Sequence, residues 1–237
     1  MKMKIMIRKG TIDMKILANS VVALFLIQSV VVAEERPPNV VLLISDDQSW
    51  GDYGFMGHPH IKTPRLDRLG GEGLLYERGY VTAPLCRASL ASIATGLYPH
   101  QNGIRNNDPL LPIGMTNHTL RQKDPDAWRE MRASMEAPMF KNPSLVKILK
   151  ENGYATLQTG KWWEGNPLDH GFTDAMTHGD VARGGRHGDE GLKIGRDTMQ
   201  PIYDFVEKAV DNEQPFFVWY GVFLPHAPHN APQRLST

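Results

Sequence analysis

The chain has 237 residues, of which 41% are hydrophobic and 22% are charged. This composition excludes a disordered chain, and 22 glycines and 17 prolines without a repeating period exclude collagen and a coiled coil. The 26 basic residues balance the 26 acidic ones, so charge gives no reason to expect nucleic acid or an anionic membrane surface as a partner. A globular protein remains, because chains of roughly 200 residues bury about 70% of their unfolded surface.

The N-terminus is typical of a secretory signal peptide. Several basic residues precede an apolar stretch, residues 21–32, and Ala33 is a small residue at a position that signal peptidase reads. We expect cleavage after Ala33, with 1–33 as the signal peptide and 34–237 as an exported protein, periplasmic or secreted. The apolar stretch is short for a membrane span, so we expect no stable membrane association, with an uncleaved anchor as the alternative.

The first part of the exported chain contains a buried strand and a helix of small residues. Asn39 to Ser45 includes an unbroken apolar run, which predicts a central strand buried on both faces. Apolar patterning and turn residues predict three more elements: a helix over 65–69, a short strand over 74–81, and a helix over 88–95 that ends at Gly96. Cys86 stands just ahead of this last helix, near its N-terminus.

The second part repeats the alternation of helix and strand after an irregular segment. Residues 105–142 contain four prolines and many polar residues, so we expect a long surface insertion. The patterns then predict, in chain order, a helix over 143–152, a strand over 154–159, a histidine- and glycine-rich loop over 165–196, a helix over 201–210 and a strand over 216–223. This alternation predicts an α/β fold with a mixed, mostly parallel sheet sandwiched by helices.

Chemically capable residues follow three of the predicted strands. Asp46 and Asp47 follow the predicted strand over 39–45, Lys161 follows the one over 154–159, and His226 follows the one over 216–223. Because the carboxyl ends of parallel strands meet at one edge of a sheet, we expect these side chains to converge on a site.

Each of these residues has an ordinary structural alternative. Asp46 and Asp47 offer the oxygen ligands that Ca²⁺ or Mg²⁺ prefers, or they are a helix cap and a surface acid. Cys86 is the single cysteine, which excludes an internal disulfide; near a helix N-terminus it is either a reactive group or a buried structural cysteine. Lys161 could neutralise an anion or simply be solvated, and His226 and His229 could be ligands or proton donors.

Taken together, the motifs resemble the type I sulfatases of the alkaline phosphatase superfamily. The similarity extends from Pro38 to about Pro232 and lies in Asn39–Asp47, Gly51–Gly54, Thr63–Leu69, Pro84–Leu90, Ala94–His100, Thr159–Trp162 and Pro215–His226. The resemblance implies an alkaline phosphatase-like fold, of which this chain would be the truncated N-terminal half. It also implies that a formylglycine-generating enzyme oxidises Cys86 to formylglycine, whose hydrate attacks the sulfur of a sulfate ester.

The resemblance further implies roles for the residues at the strand ends. Asp46, Asp47 and the modified Cys86 would bind a calcium ion, with magnesium as the alternative, and Lys161 and His226 would hold the sulfate and its leaving oxygen. A further histidine is expected from the loop after Phe172, for which His178 is the first candidate and His187 the alternative. The substrate would be a sulfate ester, and export favours sulfated carbohydrates because polysaccharide scavenging takes place outside the cell.

The sequence departs from the family pattern at several positions. The usual modification motif has proline two residues and arginine four residues after the cysteine, where this chain has Ala88 and Leu90. Trp163 stands where a histidine is common, and the remaining family ligands belong to a half that is absent from these 237 residues. Two alternatives therefore stay open: a phosphoesterase of the same superfamily with unmodified Cys86, and an inactive or incomplete sulfatase-like chain.

Overall fold

A parallel sheet organises residues 36–229, the part of the chain that the computed structural model describes. Its strands are β1 (Val40–Asp46), β2 (Ala155–Gly160), β3 (Asp174–Ala175) and β4 (Phe216–Pro225). They lie in the order β1-β4-β2-β3, and every pairing among them is parallel. The prediction of a central strand buried on both faces over 39–45 is wrong, because among the described strands β1 pairs only with β4 and is an edge strand, with Val41 57% exposed. The predicted α/β fold with a mostly parallel sheet is confirmed. The predicted signal peptide and its cleavage site lie outside the described residues.

Eight helices accompany the sheet within the described range. They are α1 (Pro64–Glu72), α2 (Cys86–Thr95), α3 (Pro99–Asn102), α4 (Asn117–Lys123), α5 (Pro125–Ser134), α6 (Ala137–Lys141), α7 (Leu145–Glu151) and α8 (Gln200–Asp211). Single 3₁₀ turns occur at Gly54–Met56, Pro167–His170, Val181–Arg183 and Asp189–Lys193. Between residues 36 and 229, no helix is both long enough and apolar enough to cross a lipid bilayer.

The central strand β4 contributes side chains to a core on each face of the sheet. Phe217 and Trp219 are buried on one face with Ala91 of α2 and Val146 of α7. The alternate residues of β4 pack on the other face against α8. Because successive side chains of a strand point to opposite faces, an apolar run such as that of β4 requires a helical layer on each side. The predicted sandwich of helices is therefore present.

The predicted strand over 74–81 is wrong. This segment has no strand structure, and its apolar side chains are largely exposed, with Leu74 at 78% and Tyr80 at 87%. A strand requires a neighbouring backbone to pair with, and within residues 36–229 the edge strand β1 pairs only with β4. Apolar and β-branched composition indicated the type of residue a strand uses, but this segment pairs with none of the described strands.

The predicted surface insertion over 105–142 is also partly wrong. It contains α4, α5 and α6, and it buries Trp128, Arg132 and Met139. The prolines do not prevent this, because Pro125 and Pro138 occupy the first turns of α5 and α6, where a proline lacks only an amide that the helix does not use. The segment is a helical layer with an irregular start.

His170 is a buried polar residue that packs next to Trp162, in the core that contains Phe217 and Trp219. It is 1% exposed, and its ring centroid lies 4.5 Å from that of Phe140 and 5.8 Å from that of Trp162. Burial lowers the pKa of His170 to about 4, although the backbone of Glu164 opposes this shift. The imidazole is therefore neutral in the folded protein at neutral pH.

This pKa predicts an acid-dependent loss of stability. The unfolded state takes up the histidine proton first, so we expect the free energy of unfolding to fall as the pH drops from about 6.5 towards 4. His170→Phe should flatten this dependence by up to about 3 kcal/mol. Urea unfolding between pH 4 and 8 measures it, with exposed His118→Phe as the control. Equal pH slopes for the wild type and His170→Phe would contradict a buried, neutral His170.

Candidate active site

The first predicted site residues lie at the carboxyl end of β1 and differ in their exposure. The register between β1 and β4 shifts between Ile44 and Asp46, and Asp47 adopts a left-handed backbone conformation with φ of 60°. The side chain of Asp46 is 11% exposed, whereas that of Asp47 is 61% exposed. The bend therefore directs one carboxylate towards the interior and leaves the other accessible to solvent.

Lys161 is held in place by the backbone at the end of β2. Its N–H donates to the carbonyl of Gly221 at 2.7 Å, and its carbonyl accepts from the indole of Trp219 at 3.1 Å. Gly160 allows this approach, because a Cβ at that position would lie 1.7 Å from the carbonyl oxygen of Gly221. The ammonium of Lys161, 2% exposed, forms an ion pair with Asp46.

Cys86 is the first residue of α2 and lies next to this ion pair. Burial raises the pKa of its thiol, and the adjacent Asp46 carboxylate raises it as well, while the Lys161 ammonium opposes them. The unmodified thiol is therefore held in its neutral form rather than activated as a thiolate. Ligand atoms of Asp46, Cys86 and His226 all lie within 4.8 Å of one another.

His226 completes the cluster from the end of β4. Its Nε2 lies 3.6 Å from Oδ2 of Asp47, and its ring centroid lies 4.7 Å from that of Phe223. The structure thus brings together Asp46, Asp47, Cys86, Lys161 and His226, which are separated by up to 180 positions in the sequence. His229, the other candidate in this segment, is exposed.

The two candidate histidines of the long loop occupy different places. Nδ1 of His178 lies 3.5 Å from Oδ2 of Asp189 and accepts a hydrogen bond from the N–H of Asp180. These contacts hold His178 within its own loop and not in the cluster. His187 instead packs its ring against Trp163 and Phe223, two rings that also border Lys161. The alternative candidate is therefore the one that faces the cluster.

A buried ion pair behind the cluster was not predicted from the sequence. Nε and Nη2 of Arg87 donate to Glu164 at 2.8 and 2.6 Å, and the two side chains are 2% and 3% exposed. Arg87 is adjacent to Cys86 but points away from it, as expected for neighbouring residues on a helix. The available signal was a charged residue on a helix of otherwise small and apolar residues. Its partner, 77 positions away, could not be identified from the sequence pattern.

An open cavity lies in front of Cys86. It has a volume of about 270 Å³, and its lining includes Asp46, Asp47, Cys86 and Leu90. Leu90 also packs against the apolar core below α2. The cavity therefore combines a sulfur atom, two carboxylates and a nearby ammonium. This combination suits an anionic ester held beside a nucleophile, with a cation to balance the carboxylates.

The donor atoms of the cluster are of the kinds that bind divalent cations. Asp46 and Asp47 supply carboxylate oxygens, the ligands that Ca²⁺ and Mg²⁺ favour, while His226 and Cys86 add softer nitrogen and sulfur donors. Calcium takes about six to eight oxygen ligands, so the described residues provide part of such a shell. The Lys161 ammonium provides positive charge next to Asp46.

The chain is similar in sequence to known sulfatases. The family model described as Sulfatase matches residues 38–237. The chain is 30% identical over 225 residues to N-acetylgalactosamine-6-sulfatase of Homo sapiens, an alignment that covers 81% of the chain and 40% of that protein. It is 26% identical over 269 residues to an ulvan-active sulfatase of Formosa agariphila, covering 98% of the chain and 46% of that protein. The chain thus spans less than half the length of these relatives.

Solved structures resemble the fold as well. The crystal structure of Ps i-CgsB superposes with a TM-score of 0.58 at 26% identity, covering 83% of this chain and 47% of that one. The PsFucS1 sulfatase of Pseudoalteromonas sp. superposes with a TM-score of 0.58 at 21% identity, covering 91% of this chain and 49% of that one. The alkaline phosphatase-like arrangement predicted for the chain is confirmed by these structures.

The buried ion pair behind Cys86 yields a stability prediction. Glu164→Ala should lower the free energy of unfolding by about 3–5 kcal/mol, because it leaves the Arg87 guanidinium buried without its carboxylate. Urea unfolding measures the loss. Glu72→Ala is the matched control, since it removes an exposed partner of Arg68 and should cost less than about 1 kcal/mol. Similar losses for the two variants would contradict the structural role given to Glu164.

Proposed function

The chain belongs to the sulfatase family, and from this premise we propose that the protein hydrolyses sulfate esters of carbohydrates. The observation that carries the proposal is the meeting of Asp46, Cys86, Lys161 and His226 at one edge of the sheet. A sulfate monoester carries one negative charge spread over its oxygens. Its hydrolysis therefore requires positive charge and hydrogen-bond donors around a fixed nucleophile.

The carbohydrate part of the proposal is supported by the relatives. One of them is named for N-acetylgalactosamine-6-sulfate and another for ulvan. Ps i-CgsB, 25% identical in a second structure, was solved with a neocarrahexaose. The open cavity at Cys86 is consistent with a substrate that presents its sulfate group to the site while the rest of the molecule stays outside.

The residues of the chain have distinct roles in this proposal. Residue 86, placed at the start of α2, carries the nucleophile; as formylglycine it would supply a hydrated aldehyde in place of the thiol. Lys161 balances the charge of the sulfate, and its buried position beside Asp46 keeps its ammonium directed at the site. His226, with Nε2 near Asp47, is placed to donate a proton to the leaving oxygen.

A calcium ion, or magnesium in its place, would be held by Asp46 and Asp47. When bound, the ion would supply Lewis-acid polarisation of the sulfate oxygens. The two carboxylates differ in burial, so Asp46 would anchor the ion and Asp47 would reach it from the solvent side. Lys161, which is paired with Asp46, would supply the positive charge of a side chain beside the sulfate.

Export is part of the same proposal. The family match begins at residue 38, shortly after the predicted signal peptide of residues 1–33. Sulfated polysaccharides are found outside the cell, so an exported enzyme would meet its substrate there. Sequencing of the mature N-terminus tests this, and the expected first residue is Glu34.

A phosphoesterase with unmodified Cys86 is the second candidate. The observation in its favour is local: Ala88 and Leu90 stand at the positions where the modification motif has proline and arginine, and Leu90 is packed into the core. A half-buried aliphatic side chain such as Leu90 cannot supply the charge that an arginine would bring to the site. The raised pKa of Cys86 argues against the free thiol as the nucleophile, because the thiolate is the reactive form.

Loss of the nucleophile gives the direct test of the sulfatase proposal. The full-length gene product, co-produced with a formylglycine-generating enzyme, should release sulfate from p-nitrophenyl sulfate or from sulfated polysaccharides. Cys86→Ala should reduce kcat/KM by at least about a thousandfold, because the covalent step is lost. Ser134→Ala, an exposed change at the end of α5, is the control. Equal activity of Cys86→Ala and the wild type would remove Cys86 from the mechanism.

Mass spectrometry of the peptide that contains Cys86 separates the two candidates. Conversion to formylglycine removes one sulfur and two hydrogens and adds one oxygen, so the peptide becomes lighter. An unmodified thiol combined with phosphate ester hydrolysis would favour the phosphoesterase. A modified residue combined with sulfate release would support the sulfatase.

The metal proposal predicts a loss of calcium affinity in a variant that should fold normally. Asp47 is 61% exposed, so Asp47→Asn should leave the fold intact and weaken calcium binding at least about tenfold. Calorimetric titration of the chelator-treated full-length gene product measures this. Asp126→Asn, which changes a carboxylate that is 88% exposed on α5, is the control. Wild-type affinity in Asp47→Asn would exclude Asp47 as a ligand.

A further inference from the structure

Arg87, the residue that follows Cys86, binds three separate segments of the chain through its guanidinium group. Nε and Nη2 donate to the carboxylate of Glu164, which follows β2, at 2.8 and 2.6 Å. Nη1 donates to the carbonyl of Asn106 at 3.2 Å, and Nη2 also donates to the carbonyl of Met135 between α5 and α6. The start of α2 is therefore tied to three segments that lie far from one another in the sequence.

The backbone of Arg87 is held as well. The amides of the first helical turn have no partner inside the helix, and Leu85, at the N-cap of α2, has no side-chain oxygen that could accept from them. Instead, Oδ1 of Asn107 accepts from the N–H of Arg87 at 2.9 Å. The side chain and the main chain of Arg87 therefore both fix the first turn of α2, which begins with Cys86.

Glu164 belongs to the segment that carries Lys161. Lys161 is bonded to β4 through its backbone, and the carbonyl of Trp163, the residue before Glu164, accepts from Arg132. The side chains of Arg87 and Glu164 are 2% and 3% exposed, so solvent does not compete for the two bonds between them. The pair thus connects the first turn of α2 to a segment that begins, three residues earlier, with Lys161.

Stability alone does not account for this pair. Both charges of a buried ion pair lose their hydration, and well-packed apolar side chains of similar volume are often at least as stabilising. An arginine–carboxylate pair with two parallel hydrogen bonds adds a fixed distance and orientation. Leu90, one turn further along α2, has no polar atom with which to hold residue 86 from the side of the cavity. The fixed geometry behind α2 therefore determines where the nucleophile lies.

We infer that Arg87 is a positioning residue, which through its ion pair with Glu164 sets the distance between residue 86 and the Lys161 ammonium. This inference rests on the proposed function, since it concerns the nucleophile of that reaction. Arg87 does not touch the substrate and acts through residue 86. Attack requires the reacting atoms to lie about 3–3.5 Å apart, and a displacement of about 1 Å can cost on the order of a hundredfold in rate. Because Lys161 and the proposed cation hold the sulfate, loss of the pair should lower kcat more than it raises KM.

Glu164→Gln tests the inference without changing the sequence around Cys86. The variant keeps the size of the side chain and removes the charge that holds the Arg87 guanidinium. The full-length gene product is co-produced with a formylglycine-generating enzyme, and its activity is normalised to the formylglycine content. For p-nitrophenyl sulfate, kcat should fall about 10- to 100-fold, with KM changed by less than about threefold.

Ile202→Ala is the matched control for a general loss of stability. Ile202 is 8% exposed and packs against α8 neighbours in the core on the opposite face of the sheet, so its truncation destabilises the protein without touching the pair. At a temperature where both variants are folded, Ile202→Ala should keep the wild-type kcat. Wild-type kcat in Glu164→Gln, or an equal loss of kcat in Ile202→Ala, would overturn the inference.

A measurement without turnover separates this inference from the proposed function. In protein produced without the formylglycine-generating enzyme, Cys86 is a half-buried thiol, and mass spectrometry of its peptide follows the rate at which iodoacetamide labels it. Glu164→Gln should increase this rate several-fold, because the first turn of α2 is released, and Ile202→Ala should leave it unchanged. An unchanged rate in Glu164→Gln would also overturn the inference. An inactive wild type whose labelling rate still rises in Glu164→Gln would instead contradict the proposed function and leave the positioning role supported.

Discussion

The parallel pairing of β4 between β1 and β2 is the constraint on which the site depends. Backbone hydrogen bonds fix the register, so Gly160 lies opposite Gly221 and Asp46 lies opposite Pro225. All three strands therefore end at the same edge of the sheet, so the residues that follow them lie close together there. A shift of one residue in either pairing would exchange the buried and exposed faces and separate the ammonium of Lys161 from its carboxylate.

The charges at this edge form two separate layers. In the outer layer, Asp46 and His226 lie close to the sulfur of Cys86, and Lys161 is paired with Asp46. In the inner layer, Arg87 and Glu164 form a buried pair below α2. An isolated buried charge is costly, so each layer is balanced by opposite charge within itself. The inner pair links α2 to the segment after β2, and it thereby connects the element that carries Cys86 to the one that carries Lys161.

Aromatic rings give the site its shape. Trp163 and Phe223 flank the Lys161 ammonium and the His187 ring, and both of these side chains are nearly fully buried. Rings of this size restrict the rotamers of the polar groups between them and lower the local dielectric constant. The electrostatic interactions of Lys161 with an anion would therefore be stronger than on an open surface. The same burial explains why the imidazole of His187 is neutral.

The amino-acid sequence by itself determined the order of the main strands and helices and the residues at their ends. Apolar runs with clear boundaries predicted strands at β1 and β4, a strand was also predicted at β2, and Gly96 marked the end of α2, because these signals depend only on neighbouring residues. The position of β1 at the edge of the sheet was not predicted. The prolines of α5 and α6 misled the prediction, since proline in a first helical turn and proline in a loop have the same local composition.

Only the tertiary structure decided the features that depend on distant partners. The segment over 74–81 has the composition of a strand but pairs with no strand within residues 36–229. Arg87 and Glu164 are 77 positions apart, and the difference between His178 and His187 depends on which side of one loop faces Lys161. No local pattern contains this information, because contacts of this kind are set by how the strands are arranged and how the layers pack.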